Sequence, residues 1–205
     1  LVPFTLQPQQ LNPLKELAGI AVPARIRCGG AEFAENLLFT HRGLSGPVVL
    51  QASNYWQPGS PIEIDLLPTL NLADWLKQQR HDKPRSSLRT LLSQQLPKRL
   101  LQALEALNQL HDLDATAAQL SDRRIDELQQ QLCHWQLVPS GTEGYRTAEV
   151  TLGGIDTRAV SSKTFEATSA AGLYFIGEVL DVTGWLGGYN LQWAWSSGFC
   201  AGQYV

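Results

Sequence analysis

The chain has 205 residues, 43% of them hydrophobic and 17% charged, and carries a net charge of -3 at neutral pH. That length and balance suit one large or two small globular domains, with a core sizeable enough to need neither disulfides nor metals. The slight acidity gives no broad attraction to nucleic acid or to anionic membranes. Cys28, Cys133 and Cys200 are far apart and form no CxxC pair. This argues for a reducing compartment and against a disulfide framework or a cysteine metal site, and each cysteine is expected to be a small buried hydrophobe. No apolar run approaches the ~20 residues that cross a bilayer, and no basic-then-apolar signal opens the chain, so the cytoplasm is the expected location. There is no methionine, so Leu1 is not an initiator and the chain reads as a piece of a longer protein.

Residues 1–68 are strand-like. The first residues, LVPFTLQP, read as a strand. In IAVPARIRC, Val22, Ala24, Ile26 and Cys28 fall on one face by period-two alternation and Arg25 and Arg27 on the other. In LLFTHRGLSGPVVLQASNYW, a strand through Phe39 and Thr40 should turn at Gly43, and a short helix should start near Pro47, a favoured first helical position. PIEIDLLP alternates again, with Ile62, Ile64 and Leu66 against Glu63 and Asp65.

Residues 71–135 change to helical spacing. Asn71 is placed to cap a helix carrying Leu72, Trp75 and Leu76. Leu88, Leu91 and Leu92 begin a second stripe, and Pro97 restarts a helix with Leu100, Leu101, Leu104 and Leu107. Ser121 can cap a last helix that puts Ile125, Leu128, Leu132 and Trp135 on one face. Lys83-Pro84-Arg85 and Arg123-Arg124 read as solvated helix ends. His81, His111 and His134 have no partner at metal-ligand spacing, and no metal site is expected. From about 136 the pattern returns to strands, in YRTAEVTLGG and GLYFIGE. A helical block between two strand stretches reads as an insertion into a β domain.

The segment GEVLDVTGWLGGYNLQWAWSSG packs five glycines, three tryptophans and two carboxylates into residues 177–198. GLYFIGE is a nearly continuous apolar run, as in a strand buried on both faces of an α/β sheet, and it ends at Gly177 and Glu178 on the carboxyl edge where such sheets hold ligands. Gly187-Gly188 then opens a helix whose sheet-facing side is expected to hold Leu191, Ala194, Trp195, Gly198 and Phe199. On this reading Trp195 is core, and Trp193 or Trp185 is the better candidate for an open surface. Paired glycines at a helix start let a flat or anionic group approach the backbone amides and the positive end of the helix dipole. Glu178 would accept hydrogen bonds from ligand hydroxyls. That combination suits a flavin with its ribityl chain.

GLYFIGEVLDVTGWLGGYNLQWAWSSGFCAG resembles the C-terminal flavin-binding segment of the BaiN/YhiN-type NAD(P)/FAD-dependent oxidoreductases, and is more distantly similar to the corresponding segment of fumarate-reductase-like flavoproteins. LLFTHRGLSGPVVLQAS and VTLGGIDT resemble the same family. The resemblance implies an α+β multidomain fragment. Its parts are a β-rich insert domain (1–68 and 136–158), a small helical bundle interrupting it (69–135), and the terminal strand and helix of a Rossmann-like FAD-binding domain (159–205). It also implies that Gly177 and Glu178 approach the ribityl and pyrophosphate side of FAD, and that Asp181 orders the following loop. Gly187, Gly188, Tyr189, Asn190 and Leu191 would bring amides to the pyrimidine edge of the ring, and Gly153 and Gly154 would act as a crossing or hinge. No G-x-G-x-x-G turn stands anywhere in the chain, so the adenosine half of the site is absent and the chain alone is expected to be colourless.

His41 is the one catalytic candidate. It follows a strand and precedes a turn, where an imidazole facing a flavin orients a substrate or shuttles a proton. The bland alternative is that His41 and Ser45 hydrogen-bond to stabilise the turn. The expected activity is flavin-mediated hydride or electron transfer on a small molecule, with NAD(P)H or oxygen as the other partner and no nucleic-acid or membrane partner. The competing reading is a non-catalytic binding or assembly module in which the flavin segment serves only packing.

Overall fold

Two glycines decide the first hairpin. Gly29 and Gly30 have φ of +56° and +81°, the left-handed pair that a two-residue turn between twisted strands requires. They join strands β2 (Ala21–Cys28) and β3 (Ala31–Phe39), which pair antiparallel from Ala21↔Leu38 to Cys28↔Ala31. On β2 the alternation holds: Val22, Ala24, Ile26 and Cys28 are buried while Arg25 and Arg27 face outward to Glu32 and Glu63. The computed structural model describes all residues, 1–205.

The chain divides into two compact units, Pro3–Glu143 and Leu1–Val2 with Gly144–Val205. In the larger unit seven strands form one antiparallel sheet in the order β6-β5-β2-β3-β4-β1-β7. The remaining members are β1 (Phe4–Thr5), β4 (Gly43–Ser45), β5 (Ile62–Asp65), β6 (Trp135–Leu137) and β7 (Gly141–Thr142). Helix α1 (Pro8–Leu14) follows β1, and α2 (Pro47–Ser53) packs on β2 and β3, starting at the proline as expected. β3 ends at Phe39, one residue short of the expected strand, because Thr40 turns its hydroxyl to the amides of Arg42 and Gly43.

Between β5 and β6 the chain leaves the sheet through four helices: α3 (Leu72–Asp82), α4 (Leu88–Leu92), α5 (Lys98–Ala106) and α6 (Asp122–Cys133). Asn71 and Ser121 cap α3 and α6 as their positions require, accepting from the amides of Asp74 and Arg124. Leu72, Leu76, Leu88, Leu92, Leu100, Leu104, Ile125, Leu128 and Leu132 are fully buried, in one cluster with Phe39, Ile62 and Ile64 of the sheet. Burying each such side chain contributes about 1.5–3 kcal/mol. Trp135 departs from expectation: α6 stops at Cys133 and Trp135 begins β6, pairing with Ile64.

Two expected strands are not formed. Residues 145–154 hold a single 3-10 turn at Gly144–Arg146 and no ladder. GLYFIGE makes one isolated bridge, Glu166↔Tyr174, and then a 3-10 turn at Gly177–Val179. An apolar run becomes a strand only where neighbours take up its amides and carbonyls, and no strand of the chain flanks these two. The smaller unit is instead held by Val160, Phe165, Leu180 and Ala201, with Ile155, Phe175, Val182 and Trp193 packed against them. Its one long element is helix α7 (Tyr189–Ala201).

Candidate cofactor site

The smaller unit is organised around contacts between α7 and the turn before it. The Gly177 amide donates to Ser197 Oγ at 2.9 Å, the Ser197 hydroxyl donates to the Trp193 carbonyl at 2.8 Å, and the Trp193 indole N–H returns to the Gly177 carbonyl at 3.1 Å. Trp193 also meets Phe165 edge-on, with ring centroids 5.9 Å apart. Helix α7 therefore packs through Asn190, Trp193, Ser197 and Ala201, a stripe at helical spacing.

The opposite assignment was expected. Leu191, Trp195 and Phe199 are 68%, 78% and 72% exposed. Trp195 is thus an open residue and Trp193 a packed one, the reverse of the sequence reading, while Trp185 is open as expected. The cause is the rotation of α7 about its axis. Hydrogen bonding to Gly177 and Gly184 turns its polar stripe inward, and nothing in the chain lies over its more apolar side. Cys200, expected to be buried, is exposed for the same reason.

Asn190 was singled out for its backbone, but its side chain does more. Its Oδ1 accepts from the Gly184 amide at 2.7 Å and its Nδ2 donates to the Gly184 carbonyl at 3.0 Å. This two-point clamp closes the loop 184–190. Gly188, the N-cap of α7, sits at φ +86° with open space where a side chain would be. A side chain there would be strained and would cover the helix end. The first intrahelical bond is Gln192 to Gly188, so the amides of Tyr189, Asn190 and Leu191 have no helical acceptor.

Beside this helix end is a cavity of about 230 Å³ lined by Glu149, Val150, Glu178, Trp185, Leu186, Gly187, Gly188, Asn190 and Leu191, with Leu1. Five predicted residues meet there: Glu178, Gly187, Gly188, Asn190 and Leu191. Gly177, Asp181 and Tyr189 do not line it. Gly177 is buried against α7, Asp181 is exposed with its amide bonded to the Ile155 carbonyl, and Tyr189 is exposed. Glu178 is exposed and its carboxylate has no protein partner. Gly154 runs against Val179 and Leu180, and a side chain there would meet the Val179 carbonyl at 2.6 Å, so this glycine is a crossing point. Sequence reasoning missed Glu149, Trp185 and Leu186 as lining residues and Ser197 as the tie between turn and helix. A serine on the buried stripe of a helix was the available signal for the last.

His41 lies in the larger unit, in the bend between β3 and β4. It is exposed, and no hydrogen bond to Ser45 forms; Thr40 holds that turn instead.

The cavity and helix end fit the ring-edge part of a flavin in kind: open amides, a flat approach over Gly188, and a free carboxylate. At about 230 Å³ the space is smaller than the roughly 300–1,000 Å³ of a complete small-molecule site.

The family model described as HI0933-like protein barrel and H2TH domain matches residues 1–150. The chain belongs to the HI0933-like family. Within reach of that family, it is 55% identical over 204 residues to the Escherichia coli (strain K12) protein named ribosomal RNA dihydrouridine synthase, covering 99% of this chain and 50% of the relative. The protein of the same name from Haemophilus influenzae is 51% identical over 98% of the chain and 50% of its own length. A Clostridium scindens 3-dehydro-bile acid delta(4,6)-reductase is 31% identical over 94% and 50%. The chain spans about half the length of these relatives. The family model covers the whole of the larger unit, whereas most of the candidate cofactor site, from Glu178 to Leu191, lies beyond residue 150, in a stretch that the full-length likeness to the relatives includes.

Proposed function

We propose that the chain is part of an FAD-dependent oxidoreductase whose whole protein reduces uridine in ribosomal RNA to dihydrouridine. The observation that carries this reading is the 55% identity to the Escherichia coli enzyme across 99% of the chain. The chemistry agrees with the more distant relative, because saturating a uridine ring and reducing a delta(4,6) system are both reductions of a carbon–carbon double bond conjugated to a carbonyl. Such a reduction places a hydride on the far carbon and a proton on the carbon next to the carbonyl. A bound FAD, once reduced, would supply the hydride, and NAD(P)H is the donor we assign for that reduction.

The residues of this chain that serve the cofactor are those of the cavity. The amides at the start of α7 meet an electron-rich ring edge, and the helix dipole stabilises negative charge there. Glu178 takes ligand hydroxyls. The exposed face of α7, Leu191, Trp195 and Phe199, packs on a sheet of the FAD-binding domain. His41 is assigned to proton delivery or substrate orientation. This reading departs from the expectation of no nucleic-acid partner, which was drawn from the net charge and from reading the local basic stretches as solvated helix ends.

The test uses the whole natural protein. Purified, it should be yellow and should restore dihydrouridine to ribosomal RNA from cells lacking its gene, measured by mass spectrometry of nucleosides. The 205-residue chain alone should be colourless. Replacing His41 by Asn should lower turnover by about 100-fold while leaving flavin content unchanged. Ribosomal RNA with its dihydrouridine intact in the deleted strain would sink the reading.

A further inference from the structure

Residues 83–104 hold five of the chain's 16 Lys and Arg and none of its 19 Asp and Glu. They are Lys83, Arg85, Arg89, Lys98 and Arg99, spread over the α3–α4 loop, α4 and the start of α5. In sequence the first two read as a solvated helix end. Their surroundings say more. The arginine ion pairs of the helical block are made by Arg80, Arg89, Arg123 and Arg124, so Arg85, Lys98 and Arg99 stand exposed outside any ion pair, and Lys83 is exposed with only the charge of its neighbour Asp82 near it. The neighbouring Asp82 is already engaged by Gln78 and His81. Arg89 is held by both oxygens of Glu105 and by Asp114, which fixes the floor between the basic pairs.

That floor is a cleft of about 230 Å³ between α4 and α5, lined by Arg89, Thr90, Ser93, Lys98, Leu101 and Gln102. All six belong to the acid-free run, and three of them are neutral polar side chains. Lys83 and Arg85 precede α4 (Leu88–Leu92), and Lys98 and Arg99 open α5 (Lys98–Ala106), so the two basic pairs bracket α4 along the chain. A cleft holding the exposed cation Lys98 with hydroxyls and an amide, flanked along the chain by the exposed Lys83, Arg85 and Arg99, matches a polyanion with sugar hydroxyls, whereas an acidic peptide or a lone phosphate would use only part of the surface.

We infer that the run 83–104 is the surface on which the whole protein holds the sugar–phosphate backbone of its RNA substrate. The inference rests on the ribosomal RNA reading above and adds where the RNA is gripped. These contacts are to the backbone, so they contribute affinity and position but no choice of base.

The experiment measures binding of deproteinised bacterial ribosomal RNA to the full-length protein as a function of salt. The variant K83Q/R85Q/K98Q/R99Q is compared with the control K15Q/K163Q, whose cations lie outside the run. Each lost phosphate contact lowers the slope of log K against log salt by about 0.7–0.9. The fourfold variant should therefore lose about 3 from that slope and bind about 1,000-fold more weakly at ~0.1 M salt, with unchanged flavin absorbance and melting temperature. The control should bind like the unsubstituted protein. Unchanged slope and affinity in the fourfold variant, while the unsubstituted protein binds RNA and makes dihydrouridine, would overturn the surface and leave the activity reading intact. No RNA binding by the unsubstituted protein would overturn the surface, and absence of dihydrouridine formation as well would overturn the reading beneath it. Equal loss of binding to phosphatidylglycerol vesicles, with RNA binding retained, would assign the run to a membrane and overturn the inference.

Discussion

Replacing Asn190 by Ala tests the clamp that shapes the candidate site. The side chain is 9% exposed and makes two hydrogen bonds to one residue, accepting from the Gly184 amide at 2.7 Å and donating to its carbonyl at 3.0 Å. Alanine removes both and leaves the half-buried Gly184 amide and carbonyl without their partner. A net hydrogen bond is worth about 1 kcal/mol and an unsatisfied buried group costs about 1–3 kcal/mol. A local loss of ~2–3 kcal/mol is therefore expected, which is a roughly 30- to 150-fold faster exchange of the Gly184 amide. Asn190→Asp keeps the acceptor but sets a charged oxygen against the Gly184 carbonyl, and should not restore protection. The assay is native-state hydrogen exchange resolved by NMR. Amides of Pro3–Glu143 serve as the internal reference, since their core shares no residue with the clamp. Gly184 exchange within about threefold of the unsubstituted chain would refute the clamp. So would a loss of protection spread through the larger unit.

Thiol reactivity separates the three cysteines: burial pushes the thiols of Cys28 and Cys133 up, Cys133 to about 12 with the nearby Asp65 adding to the effect, while Cys200 is exposed. One thiol should react quickly with an aromatic disulfide reagent in the native chain and three after unfolding, and Cys200→Ser should remove the fast one; two or more fast thiols would contradict the packing. Burial alone would raise the carboxyl of Glu63, but hydrogen bonds from Arg27 and His134 outweigh it and hold it below its ordinary value of 4.5. A carboxyl lowered in the folded state contributes stability that is present above the unfolded value and is lost as pH falls through the folded one. Glu63→Gln should flatten the fall in stability below about pH 4.5, and urea melts of both proteins that remain parallel from pH 6 to pH 3 would refute it.

The parts of the fold readable in the sequence are those decided by neighbours along the chain. Alternation on β2 and β5, the caps Asn71 and Ser121, and the leucine stripes of α3 to α6 each bury the residues their spacing selects. The candidate site was legible in the same degree. The glycine pair and the first turn of α7 form an open helix end because backbone conformation there is a local property.

What failed depended on partners distant in sequence. GLYFIGE has the composition of a buried strand, yet forms no ladder, since composition supplies apolar surface but not the neighbouring backbone that takes up amides and carbonyls. The rotation of α7 followed Ser197 and Asn190 rather than Leu191, Trp195 and Phe199, because two polar side chains found backbone partners at Gly177 and Gly184. The same holds for Lys83, Arg85, Lys98 and Arg99, whose absence from any ion pair is invisible in a list of charges. The sequence by itself determined the helices, the sheet's alternation, the open turn at Gly188 and the likeness to a family of reducing enzymes. Tertiary structure alone decided which face of α7 is covered, which of Trp193 and Trp195 is exposed and which cations are outside ion pairs, because burial and pairing are set by groups that meet only when the chain is folded.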